Sequence, residues 1–266
     1  MTDVLGYGVG PLTAAVAQPA GADVEDLRSG LAALAGLVAS TLGLEELLAR
    51  VATLAVRAVP GADGAGVTLL RVDHPDNRVE AMAASAPFVR QIDEIQYVDI
   101  NEGPCITAAL VRRTVWSGSL GGEKRWPRFG PRMGRRGVHS VLSLPLLLPD
   151  QVVGAINVYA HGKDVFGEHA VELGERFAAP AAVAVRNAQA LTHALTLSAQ
   201  LQTALSSRPV IDQAVGILLA RTGGTAEQAF ARLRAISQAE HVKLAAVAQR
   251  IVEEAVRRAR ARHLEC

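Results

Sequence analysis

SVLSLPLLLPDQVVGAINVYA, residues 140–160, holds two apolar runs on either side of a short polar turn. SVLSLPLLL (Ser140–Leu148) and VVGAINVYA (Val152–Ala160) are each of strand length, and PDQ between them allows a tight reversal. The stretch therefore predicts an antiparallel hairpin. Pro145 has no amide hydrogen to give to a ladder, which places it at an edge or a bulge. Upstream, GVTLLRV (Gly66–Val72) and RVEAMAAS (Arg78–Ser85) flank the turn cluster DHPDN and predict a second hairpin. TVWSGSL (Thr114–Leu120) is a third candidate for a strand, and a loop rich in Gly and Arg separates it from residue 140. Strands joined by short hairpins, with helical patterns before and after, predict an α+β domain on an antiparallel sheet flanked by helices.

The helical patterns set the rest of the organisation. Residues 1–23 are rich in Gly, Ala and Pro without a steady period and are expected to be unstructured. Leu27, Leu31, Leu34, Val38 and Leu42 then step by four and three, the seam of a bundle helix over 24–43. LEELLARVATLAVRAV carries a second helix to Pro60. The sheet domain is expected over 44–186. From about Glu168 a long apolar stripe (Val171, Phe177, Val185, Ala188, Leu191, Leu195, Leu201, Leu205) runs past the last strand, with Pro180 as a kink or a starting point. Beyond Asn187 that stripe has no sheet left to cover. A coiled-coil connector over 187–206 is expected, with the same helix of a second chain as its partner and the Leu27–Leu42 helix as a candidate to join them. The expectation is a homodimer.

Charge is uneven along the 266 residues, although the formal net is only +1. From Ser206 onward ten cations face six anions, a net of +4 that leaves −3 on the first 205 residues. A basic module on a mildly acidic body suits an anionic partner. Two cysteines, Cys105 and Cys266, are too few for a disulfide framework. Asp3 and the lack of a basic n-region argue against a secretory signal, and Ser29–Leu44 is short for a membrane span, so a soluble cytoplasmic protein without a membrane partner is expected.

The final part reads as three short helices. SSRP (Ser206–Pro209) looks like a helix restart with Ser207 as cap, and Gly223-Gly224 ends the first helix. TAEQ (Thr225–Gln228) is a capping box, followed by the stripe Ala229, Phe230, Leu233 and Ile236. Leu244, Val247, Ala248, Ile251, Val252 and Ala255 mark a third helix. Such a module over 207–256, followed by a basic tail over 257–266, suits recognition better than catalysis.

IDQAVGILLARTGGTAEQAFARLRAISQ, followed by KLAAVAQRIV, resembles the ANTAR domain, an RNA-binding antiterminator module. EGPC (Glu102–Cys105), RWPRF (Arg125–Phe129), GVHSVLSLPL (Gly137–Leu146) and VVGAINVYA resemble a GAF sensor domain of the kind that precedes ANTAR modules in actinobacterial regulators. The resemblance implies a dimeric regulator that binds paired RNA hairpin loops in leader transcripts and prevents a terminator from forming. Its sensor would respond to a small molecule or a signalling protein. The ligand is not implied: Asn157 and Phe166 do not complete the cyclic-nucleotide signature, and no cofactor is expected. The implied RNA contacts are Asp212, Gln213, Ala214, Gly216, Arg234, Ser237, Gln238 and Lys243. Ala214 and Gly216 are open to two readings, a flat surface for an unpaired base or close helix packing. Arg234 and Lys243 suit phosphate, and Ser237 and Gln238 suit base edges. Val215 and His241 depart from the family, which has Lys and Asn there.

Two other classes remain on the sequence alone. Three helices could form a helix-turn-helix that reads duplex DNA, although Ala245, Ala246 and Gln249 make a poor reading face. Cys105 could serve an enzyme if His74 or His139 supplied a base, but a buried thiol or a pocket lining is the plainer reading. Trp126 is a second candidate for the sensor pocket. The seven histidines lack metal spacing, and neither a P-loop nor a dinucleotide fingerprint occurs.

Overall fold

The structure, a computed structural model, describes residues 20–38, 42–71 and 78–264. The expected unstructured segment lies mostly outside them, as do the DHPDN turn with His74, and Cys266. The chain divides into two compact units, residues 1–192 and 193–266. Among the described residues no helix is long and apolar enough to cross a membrane.

The first unit is built on one antiparallel sheet. β1 (Gly64–Arg71), β2 (Arg78–Ala84), β3 (Val115–Ser117), β4 (Ser140–Leu147) and β5 (Val152–Ala160) lie in the order β2-β1-β5-β4-β3. Both predicted hairpins form, and β5 joins them by pairing with β1 as well as β4. β3 is shorter than expected, and its ladder on β4 ends at Val115 opposite Ser143. Pro145 therefore sits where the outer edge of β4 is open, one residue before a register shift at Leu146/Leu147. Its missing amide costs no ladder bond there.

Strand alternation assigns the two faces of the sheet. Val67 and Leu69 of β1, Leu142, Leu144 and Leu146 of β4, and Ile156 and Val158 of β5 join one apolar core. That core is closed by α1 (Ala20–Val38), α2 (Leu44–Ala58) and the start of α6 (Glu168–Thr222), through Leu27, Leu34, Leu48, Val51, Phe177 and Val185. Leu27 and Leu34 are fully buried inside the chain. Each contributes roughly 2 kcal/mol by leaving water. Two of the α1 seam positions are thus spent on the chain's own core, with Leu31 packed half-buried against it.

The other face is covered by elements that periodicity alone does not show. α3 (Pro87–Glu94) runs into a π-helix (Ile95–Ile100), and α4 (Pro104–Val111) and α5 (Phe129–Arg135) follow. The Gly- and Arg-rich loop thus contains a helix. Gly154 of β5 has no room for a side chain, since a Cβ would stand 2.0 Å from the Thr68 carbonyl oxygen.

In the second unit α6 ends at Thr222, α7 spans Ala226–Glu240 and α8 spans Leu244–Leu264. The expected restart at Ser206–Pro209 does not occur: α6 is continuous through Pro180 and Pro209. A proline forfeits its own amide bond and crowds the preceding turn, at about 3 kcal/mol in a helix interior. At Pro180 the neighbouring Ala181, Ala182 and Val185 are buried on the sheet, and that packing offsets the loss. At Pro209 the helix goes on into Val210 and Ile211, which pack on the module's core. The expected basic tail is also helical, as α8 continues through Arg257, Arg258 and Arg260.

The capping box is present in full. Thr225 Oγ1 accepts from the Gln228 amide (3.3 Å), and Gln228 Oε1 accepts from the Thr225 amide (3.1 Å). Thr225→Ala should cost about 1 kcal/mol, which would let the α7 amides exchange their hydrogens about five-fold faster when followed by mass spectrometry. Unchanged exchange would mean that packing alone fixes the helix start. Ala229 and Leu233 are buried as expected, but Phe230 is 40% exposed. It stands one position round the helix from the Ala229–Leu233 line and leaves the core.

Candidate functional sites

The sheet face under the π-helix holds a buried polar nest. Alternation turns Thr68 of β1, Ser143 of β4, and Asn157 and Tyr159 of β5 away from the apolar core, and all four are inaccessible. The covering segment supplies Asp93, Gln96 and Tyr97, and α4 supplies Cys105. Tyr159 donates its hydroxyl to Asp93 Oδ1 (3.2 Å), Ser143 donates to Asn157 Oδ1 (2.8 Å), and Asn157 Nδ2 donates to the Tyr97 hydroxyl (3.4 Å). Gln96 Oε1 accepts from the Cys105 amide (3.3 Å). Gly66 and Gly103 make the close approaches possible. A Cβ at Gly66 would stand 2.3 Å from Asp93 Oδ2, and one at Gly103 would stand 2.0 Å from Gln96 Oε1.

The nest is not fully paired. Thr68 Oγ1, Asp93 Oδ2 and Gln96 Nε2 are buried without a hydrogen-bond partner among the described residues. Each such group costs about 1–3 kcal/mol relative to water. Burial raises the Asp93 carboxyl to about 7, against the lowering effect of the Tyr159 hydroxyl and the nearby Asn157 amide. The same burial holds both Tyr97 and Tyr159 well above the ordinary phenol range.

Cys105 lies buried in this nest, and the environment suppresses its reactivity. Burial pushes its thiol up to about 12, in spite of hydrogen bonds with Tyr97 and Asn157. That shift disfavours the thiolate needed for nucleophilic attack at neutral pH. His139 is half-buried and, with Ser119 and Lys163, lines a shallow depression of about 360 Å³.

Trp126 does not join the nest, which corrects its assignment to the pocket. It is buried among Phe129, Met133 and Leu120, and its Nε1 donates to Thr107 Oγ1 of α4 (2.9 Å). It therefore braces the helix that carries Cys105. The two motifs quoted for the domain interlock at this point. Glu102 accepts the amides of Arg128 (2.8 Å) and Phe129 (3.0 Å) and pairs with the Arg128 guanidinium. Burial acts to raise the Glu102 carboxyl, but the Phe129 and Arg128 bonds together bring it below its ordinary value.

In the C-terminal unit the predicted contacts separate into two groups. Ala214 is fully buried against Leu233, Val247, Ala248 and Ile251. It cannot present a surface to a base, and of its two readings the packing one is correct. Gly216 is exposed, and a Cβ there would meet nothing within 4 Å, so close packing does not explain it. Val215 is half-buried on the module's core. Gln213 is exposed, and Asp212 is exposed with the Arg208 guanidinium 4.0 Å away.

Arg234, Gln238 and Lys243 are all exposed around the α7–α8 turn. Neither Arg234 nor Lys243 has an ion pair among the described residues, in contrast to Arg250 and Arg258, which pair with Glu240 and Glu254. Ser237 is committed to the turn, since its hydroxyl donates to the Val242 carbonyl (2.6 Å). His241 caps α7 in the left-handed region at φ 54°. Asn and His are both enriched there, which explains the exchange at this position.

The family models place these two units. A GAF domain model matches residues 41–186, and an ANTAR domain model matches residues 199–252. The chain is a GAF–ANTAR regulator. Among solved structures, the GAF domain of a phosphoenolpyruvate-protein phosphotransferase from Coxiella burnetii has 16% identity and a TM-score of 0.52. The match covers 66% of this chain and 99% of that one. Free methionine-R-sulfoxide reductase from Neisseria meningitidis, in complex with its substrate, has 14% identity and a TM-score of 0.50, with 68% and 98% covered. At these identities the likeness shows the GAF fold alone. A comparison with curated proteins gives no match. In this GAF–ANTAR chain the polar nest belongs to the GAF domain and the exposed cations belong to the ANTAR domain.

The nest residues Asp93, Gln96 and Tyr97 were not singled out from the sequence. Their spacing, i, i+3 and i+4, is that of an ordinary solvated helix face. The available signal lay in β5, where Asn157 is polar within a strand apolar on both faces and so demands a partner.

Proposed function

We propose that the chain is a cytoplasmic, dimeric, signal-responsive RNA-binding regulator that acts by antitermination and is not an enzyme. The observation that carries the RNA reading is the unpaired cationic surface of the ANTAR domain. Arg234 and Lys243 stand exposed beside Gln238, free to meet phosphate and base edges. Two such domains in a dimer would hold two RNA hairpin loops at once. Binding that form in preference to the terminator shifts the transcript's population toward read-through.

The nest supports the sensor half of the reading. A hydroxyl, a carboxyl oxygen and an amide NH2 without partners suit a small polar ligand that offers both donors and acceptors. The covering Ile95–Ile100 segment is a π-helix, a geometry frequent at functional sites, and its displacement would open the nest. Ligand binding there would bias the helical elements that follow. The suppressed Cys105 thiol supports a regulator over a thiol enzyme.

The test is binding of the full-length protein to a two-hairpin leader RNA across a salt series, beside a loop-scrambled RNA and duplex DNA. Loop-dependent RNA binding is expected. Arg234→Ala with Lys243→Ala should weaken it about ten-fold and reduce the salt slope by about 1.4 for two lost phosphate contacts. These side chains are exposed, so the fold should survive, whereas a charge at Ala214 would break the module. Equal or tighter binding of duplex DNA would favour the helix-turn-helix reading and overturn this one.

A further inference from the structure

The GAF sheet carries a second concavity, on the face opposite the polar nest. Where β3 stops, the open edge of β4, the turn after α4 and the first turns of α6 enclose a cleft of about 450 Å³. Its floor and walls are mainly apolar, formed in part by Pro145, Leu147 and the Trp116 indole. Trp116 is 43% exposed and its carbonyl is held by the Arg125 guanidinium at 2.8 Å, so the ring is presented by a fixed backbone. Arg112 and Arg113 stand at the rim, and Arg112 takes the left-handed conformation at φ 54° that turns the chain there.

The charges select the ligand. Arg113 has no ion pair among the described residues, and Arg112 reaches only the Leu148 carbonyl, at 3.5 Å. The one acid in the cleft, Glu175, accepts a hydrogen bond from the Thr114 hydroxyl at 2.5 Å. Two cations against one anion leave room for a single negative charge, and a dianionic phosphate would face Glu175 uncompensated. A planar guanidinium binds a carboxylate in a two-point fork, and an indole face takes a flat apolar body. We infer that this cleft is a binding site for an aromatic monocarboxylate, separate from the nest. Such a site gives the GAF domain a second input, seated directly against α6 at Glu175–Ala179.

The experiment titrates full-length protein with 1-naphthoate and with its neutral isostere 1-naphthamide, following indole fluorescence and calorimetry. Only two tryptophans are present, and Trp126 is buried, so quenching reports on Trp116. Saturable naphthoate binding is expected, with naphthamide about ten-fold weaker for loss of the charged fork. Arg113→Gln should reduce that preference to about two-fold. Trp116→Ala should abolish the calorimetric signal, and Trp116→Phe should retain it. Both positions are exposed, and unchanged circular dichroism verifies the fold. Absence of saturable binding at millimolar probe overturns the inference. So does equal binding of the amide, or binding indifferent to both the Arg113→Gln and Trp116→Ala changes.

Discussion

Asp93→Asn should stabilise the protein at about pH 8 and leave its stability nearly unchanged at about pH 4. The folded carboxyl titrates at about 7, against the ordinary value of 3.8, because burial penalises its charged form. Between those two values the folded chain keeps a proton that the unfolded chain has released. Stability therefore falls as pH rises, by about 1.4 kcal/mol per unit, and is lost to the extent of roughly 4 kcal/mol once pH passes 7. Above that point both states are ionised and the profile is flat. Asparagine has no proton to lose, and its carbonyl can still accept from Tyr159. Urea unfolding of both proteins from about pH 4 to 8 should show the gap opening across this window and then holding constant. Parallel profiles would mean that the carboxylate is solvated or countered in the fold, and the nest would lose its central feature.

The sheet was legible because the physics that forms it is local. Two apolar runs around PDQ, and two more around DHPDN, predict hairpins from turn chemistry and strand length alone. The expected edge position of Pro145 followed from its missing amide. The covering helices were not legible to the same degree. α3 and α4 are eight residues each and begin at prolines, too short for a period of 3.6 to stand out. α5 is interrupted by Gly130, Pro131 and Gly134 and is held in place by Glu102 from a distant part of the chain. The continuity of α6 is hidden in the sequence for a related reason. Proline reports a local cost, whereas Ala181, Ala182 and Val185 supply their compensation through the tertiary core.

The sites divide in the same way. Motif residues such as Cys105 and Gly103 marked the region of the nest, but a motif does not say which side chains face inward. Asp93 and Gln96 look solvated until β1, β4 and β5 are placed beneath them. Trp126 shows the opposite case: a rare aromatic beside a motif suggests a pocket wall, and in the fold it is a brace on Thr107. In the ANTAR domain the small residues Ala214 and Gly216 looked equivalent, yet one is at the centre of the core and the other faces open space.

Leu195→Asp combined with Leu201→Asp should convert the proposed dimer into monomers and weaken binding to a two-hairpin RNA by 100-fold or more, on the order expected when a linked second contact is lost. Leu191, Leu195 and Leu201 are exposed at 51%, 61% and 56%. At about 100° per residue they fall within one arc of roughly 120° on α6, the width of a helix-packing stripe. Phe177 and Val185 earlier on the same helix are buried in the GAF core, so the stripe emerges into solvent only where the sheet ends. A carboxylate at either leucine would be costly inside a helix pair and harmless on a free surface. Sedimentation should therefore report monomers while circular dichroism stays unchanged. With one ANTAR domain per particle, the second hairpin must find a second protein from solution, whereas a single-hairpin RNA should bind about as before. A dimer that persists in the double variant would place its interface elsewhere. Monomers that retain full two-hairpin affinity would show that one ANTAR domain suffices, and the paired-loop mechanism would be wrong.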